Sequence, residues 1–130
     1  MVGVSYGVDR REVNLDKLME QFKKLLSVDG GMVHGIRRCA STALDLCEVA
    51  CGYLDAKITS NWAWDVCAGW VIVLEAGGIV VSGTSPTTGN ENIVAEMDIF
   101  ARDFLFVRAV RTQTEREKFI KDFWRVTKSN

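Results

Sequence analysis

Two rhythms of apolar residues alternate along the chain, short continuous runs that suit strands and recurrences every three or four positions that suit helices. Met1 to Val8 opens as a strand. Asn14 is placed to cap a helix in which Leu15, Leu18, Met19, Phe22, Leu25 and Leu26 form one apolar face, closed by Asp29-Gly30-Gly31. A short strand from Val33 to Arg37 leads into a helix from Ser41 to Cys51, stopped at Gly52, and then an extended segment from Tyr53 to Ile58. The helix Trp64 to Gly77 follows, and after it the strand Ile79 to Ser82. Gly83 to Asn92, rich in Gly, Ser, Thr and Asn, reads as a loop excursion rather than a domain linker. Phe104 to Val110 resumes as a strand, and Thr112 or Thr114 offers a capping box with Glu115 or Glu117. Phe119, Ile120, Phe123 and Trp124 mark the buried face of the last helix. This alternation predicts a single α/β domain over residues 1–130, a sheet layered with helices.

One segment breaks the pattern chemically. The helix Trp64 to Gly78 is apolar on nearly every side, which predicts burial, yet carries Asp65 in its first turn. An ionised group in apolar surroundings needs a cation, hydrogen-bond donors or a raised pKa. The unpaired N–H groups and positive dipole end of a first turn supply part of that need. Cys67, Ala68 and Gly69 are small enough for close helix packing, and Gly77-Gly78 offers a left-handed stop.

Composition narrows the field. The chain is 48% hydrophobic, enough for a real core, and its formal net charge of −1 with scattered basic residues gives no electrostatic case for nucleic acid. Cys39, Cys47, Cys51 and Cys67 show no C-x-x-C spacing and only one histidine accompanies them, which argues against zinc binding. Without a signal peptide or a long apolar run, a soluble, reducing, cytoplasmic setting without membrane is expected. His34 reads as structural rather than as a base, and Trp62, Trp64 and Trp70 as packing residues rather than a sugar platform.

Trp64-Asp65-Val66-Cys67-Ala68-Gly69 followed by Glu75-Ala76-Gly77-Gly78 resembles the second signature of the inositol monophosphatase family, Trp-Asp-x-Ala-[Ala/Gly]-Gly ending in Glu-Ala-Gly-Gly. His34-Gly35-Ile36-Arg37-Arg38-Cys39-Ala40-Ser41-Thr42-Ala43 is similar to the family's strand-to-helix turn, with Ala40 in place of the usual Gly and Thr42 in place of the usual Ala. Tyr6-Gly7-Val8-Asp9-Arg10 and Asp103-Phe104-Leu105-Phe106-Val107-Arg108 extend the likeness, and the chain resembles fungal-type members.

The resemblance implies the C-terminal half of an αβαβα fold. It implies that Asp65 ligates Mg2+ and orients a substrate hydroxyl, and that Ala40, Ser41 and Thr42 lie against the hydroxylated ring of a small phosphate ester. The implied reaction is Mg2+-dependent hydrolysis of inositol monophosphate or a related polyol phosphate, by metal-activated water. The family's first signature, Asp-Pro-x-Asp-Gly-[Thr/Ser], does not occur: the one proline, Pro86, follows Ser85. The stretch between Asp55 and Trp64 also lacks the acidic residue that family members use on ring hydroxyls. This chain alone is therefore expected to be inactive. The alternative is a non-catalytic truncated module that packs with itself, as a homodimer, or with a missing N-terminal half.

Overall fold

The structure, a computed structural model, describes residues 1–5, 11–85 and 97–127. Within them the order is β1 (Val2–Val4), α1 (Glu12–Leu26), β2 (Ile36–Arg37), α2 (Thr42–Ala50), β3 (Ala56–Ser60), α3 (Ala63–Glu75), β4 (Ile79–Ser82), β5 (Asp103–Val107) and α4 (Gln113–Thr127). The strands form one mixed sheet in the order β2-β1-β3-β5-β4. β1 pairs in parallel with β2 and β3, whereas β5 runs antiparallel to both β3 and β4. The layered α/β architecture expected from the alternating rhythms is the one observed.

Period-two alternation sends each strand's side chains to opposite faces, and each face has its own core. Val2, Val4, Ile79, Val81, Leu105 and Val107 meet Leu18, Leu25, Ile120, Phe123 and Trp124 from α1 and α4. Val80, Phe104 and Phe106 meet Leu46, Val49, Val66 and Val73 from α2 and α3. The Trp124 indole is buried without an orphaned donor, because its Nε1–H reaches the Ser82 carbonyl at 2.8 Å.

Local chemistry sets several element ends. Thr112 and Glu115 form the capping box of α4: the Thr112 hydroxyl accepts the Glu115 N–H at 3.2 Å, and the Glu115 carboxylate accepts the Thr112 N–H at 3.3 Å. α3 ends where Gly77 takes φ +82, and the Gly77 and Gly78 N–H groups bond back to the Leu74 and Val73 carbonyls at 2.9 Å.

Other expectations are corrected. α1 begins at Glu12 after an extended Arg11 that makes no side-chain cap, and Asn14 lies inside its first turn. Only Leu18, Phe22 and Leu25 of its apolar series meet the core; Leu15, Met19 and Leu26 are exposed, since a helix over a sheet buries a narrower stripe than the sequence offered. The strand expected over Val33 to Arg37 shrinks to β2, that expected to Ile58 runs on to Ser60, and that expected to Val110 stops at Val107. The strand expected to reach Val8 ends at Val4; residues 6–10, with the Tyr6 to Arg10 resemblance, lie outside the described residues, as do residues 86–96 of the loop region.

Candidate functional site

The parallel strands β1, β2 and β3 point their carboxyl ends at one edge of the sheet, and α2 and α3 start there. In open α/β sheets that edge collects strand ends and positive helix termini, which is where ligands bind. The turn from β2 into α2 holds the first expected contacts. Ala40 sits at φ +60, a conformation that costs an L-residue roughly 1–2 kcal/mol and that the family's usual Gly adopts freely. Ser41 caps α2, its hydroxyl accepting the Leu44 N–H at 3.4 Å, and Thr42 is the first helical residue. Ala40→Gly is expected to stabilise the chain by about 0.5–1 kcal/mol, relief of strain exceeding the entropy cost of glycine, as read by urea unfolding. A loss of stability would mean that the turn does not hold Ala40 left-handed.

The second helix start is tied to the first. Asn61 donates through Nδ2 to the Thr42 hydroxyl and, at 2.8 Å, to the Thr59 hydroxyl, so one amide joins β3, α2 and the entry to α3. Four residues on, Asp65 is half-buried and reaches back to the Trp62 N–H at 3.3 Å. It is not a charge sealed in apolar surroundings. α3 buries Val66, Gly69 and Val73, while Trp64, Val71, Ile72 and Leu74 are exposed. Of the small residues, Gly69 alone is buried in the contact with α2, Cys67 and Ala68 facing outward.

The tryptophans divide. Trp70 packs edge-on against Phe104 and Phe106, as expected. Trp62 and Trp64 do not: their rings stack on each other at 5.2 Å with 50% and 72% of their surfaces exposed, and the Arg102 guanidinium lies 3.7 Å from the Trp62 ring centroid. Arg102 reaches them because β5 starts at the edge where β3 ends. His34 is exposed just before β2.

Sequence reasoning missed a buried ion pair on the α2 side of the sheet. Lys57 of β3, 0% exposed, binds Oδ2 of Asp45 on α2, 1% exposed. Thr59, two residues on and so on the same face as Lys57, is likewise buried. The available signal was alternation: once Ala56 faces one core, Lys57 must face the other, where only a carboxylate can meet it. Cys39 and Glu48 lie beside Asp45, and Arg37 binds Glu48 Oε1 at 2.8 Å. Asp45, then burial and the Glu48 carboxylate, hold the Cys39 thiol above its ordinary pKa against the opposing pull of Arg37.

Among the described residues no helix is long and apolar enough to cross a membrane. A family model described as the inositol monophosphatase family matches residues 2–128. Inositol monophosphatase 2 of Saccharomyces cerevisiae is 41% identical over 128 residues, an alignment that covers 95% of this chain and 41% of that protein. Two solved structures superpose well. The inositol monophosphatase of Anabaena (Nostoc) gives a TM-score of 0.63 at 29% identity, covering 83% of this chain and 38% of that one. The extragenic suppressor protein suhB of Bartonella henselae gives 0.66 at 25% identity, covering 98% and 40%. The chain thus spans about two fifths of the length of these relatives.

Proposed function

Because this chain belongs to the inositol monophosphatase family, we propose that it carries the substrate-facing part of a Mg2+-dependent phosphomonoesterase acting on inositol monophosphate or a related polyol phosphate. The observation that carries this reading is the Thr42–Asn61 link, which sets the starts of α2 and α3 side by side at one sheet edge. In it Ala40, Ser41 and Thr42 border the sugar ring, and Asp65, in the first turn of α3, is a metal ligand that also orients a ring hydroxyl.

The described residues do not make a magnesium site by themselves. Among the described residues, the group of three metal-binding side chains that comes together excludes Asp65. Mg2+ demands octahedral oxygen geometry, gives up its waters reluctantly and is anchored by more than one ligand. Asp65 also spends part of its acceptor capacity on its own helix. The proposal is therefore that the chain alone is catalytically inert and that further carboxylates must be brought to it. Purified chain incubated with inositol monophosphate and Mg2+ is expected to release no phosphate above the buffer rate. Steady release that disappears in Asp65→Asn would overturn this.

A second reading has its own observation. Trp64, Val71, Ile72 and Leu74 leave one side of α3 apolar and bare, more than scattered surface residues explain. That side suits a non-catalytic module that docks with a second copy or with a partner half. Light scattering after size exclusion decides it: a monodisperse monomer that binds no hydrophobic dye contradicts docking, whereas self-association or strong dye binding supports it.

A further inference from the structure

We propose that Cys39, Asp45 and Glu48 form a binding site for a divalent cation of the zinc class, separate from the Asp65 site. The thiol and one oxygen from each carboxylate lie within 4.8 Å of one another. Zinc–sulfur and zinc–oxygen bonds of about 2.3 and 2.0–2.2 Å fit such a group after side-chain shifts on the order of an ångström.

The fold brings them together for identifiable reasons. Asp45 and Glu48 stand three apart on α2 and share a face. Cys39 precedes the helix, and the left-handed turn at Ala40 folds the chain so that its sulfur lies 3.9 Å from both oxygens of Glu48.

Lys57 takes Oδ2 of Asp45 and Arg37 takes Oε1 of Glu48, so each carboxylate keeps one oxygen outside its ion pair. Asp45 Oδ1 is buried with no hydrogen-bond partner among the described residues, a position that is costly unless something binds it. The two basic residues then act as outer partners that fix the ligating carboxylates. A thiolate with two carboxylates selects a borderline ion over Mg2+, which prefers an all-oxygen shell. Cys39 and Glu48 are only half-buried, which leaves solvent access for entry and for a fourth ligand.

Cobalt titration of the purified chain tests the site, with Co2+ standing in for zinc. A thiolate-to-cobalt charge-transfer absorption is expected to saturate at one equivalent and to be displaced by Zn2+ but not by Mg2+. Cys39→Ser is expected to abolish the band, and Glu48→Gln to weaken Co2+ binding at least tenfold, in variants whose circular dichroism matches the parent. Cys51→Ser and Cys67→Ser, both at exposed thiols, are expected to leave it unchanged. Absence of the band in the parent chain, or its persistence in Cys39→Ser, would overturn the proposal.

Discussion

Lys57→Met is expected to destabilise the chain by about 3–5 kcal/mol, because it leaves Asp45 as an unpaired charge inside the layer between α2 and the sheet. A domain of this size has on the order of 5–15 kcal/mol in total, so the variant should be substantially unfolded well below the parent's urea midpoint. Asp45→Leu is expected to cost a similar amount by stranding the ammonium group of Lys57. The double variant should behave differently. With both charges replaced by apolar groups of comparable volume, stability should return to near the parent value, since a buried pair costs about as much in desolvation as it returns in attraction. Urea unfolding followed by circular dichroism reads all three proteins. Single variants as stable as the parent would mean that Lys57 and Asp45 do not pair.

Gly69→Ala is the second large effect, and its sign is the informative part. In an exposed helix position this substitution gains about 1 kcal/mol. Here the new methyl carbon would stand 2.5 Å from Leu46 Cδ1 and 2.7 Å from its Cβ, so α2 and α3 must separate. Overpacking of that kind costs about 1–3 kcal/mol. Because the two helix starts are joined through Thr42 and Asn61, separation would also disturb the edge that holds Asp65. Leu46→Ala alone leaves a cavity and is expected to cost about 2–5 kcal/mol. In that background Gly69→Ala should cost less, because the contact with Cδ1 is gone while the 2.7 Å contact with Cβ remains, a coupling that a double-mutant cycle measures directly. Equal effects of Gly69→Ala in both backgrounds would show that the end of the Leu46 side chain does not meet Gly69.

Two features governed by neighbouring residues were legible in the sequence, whereas the cap expected at Asn14 was not one. The capping box of α4 and the stop at Gly77 depend on chemistry within a few positions, and both stand where the sequence put them. The alternating strand and helix rhythms gave the layered architecture, and the Trp64 to Gly78 segment gave the family. Of the candidate site, Ala40 was flagged because a glycine is usual in that turn, and its φ of +60 is the physical reason a glycine suits it.

What was not legible depended on tertiary partners. Lys57 drew no reading of its own, because alternation along β3 can turn it to the second core but cannot name the carboxylate, twelve residues earlier, that meets it. The breadth of α1's apolar series did not tell which stripe α4 and the sheet would cover. Trp62 and Trp64 carry the same side chain as Trp70, yet only Trp70 finds aromatic neighbours in β5. Cysteine spacing was a guide to thiol-only frameworks, and it could not register a thiol joined by two carboxylates.

The placement of β5 between β3 and β4 has a consequence for how the chain acquires its structure. β3 pairs with residues 103–107, more than forty positions later, and β4 has β5 as its partner in the sheet. Such pairings tax loop closure and slow folding relative to local hairpins. During synthesis, an emerging chain that ends before β5 has the outer edge of β3 open and β4 without a neighbour. Nascent chains cut at that stage would be the aggregation-prone species, and the last quarter of the sequence is the part whose arrival ends that exposure.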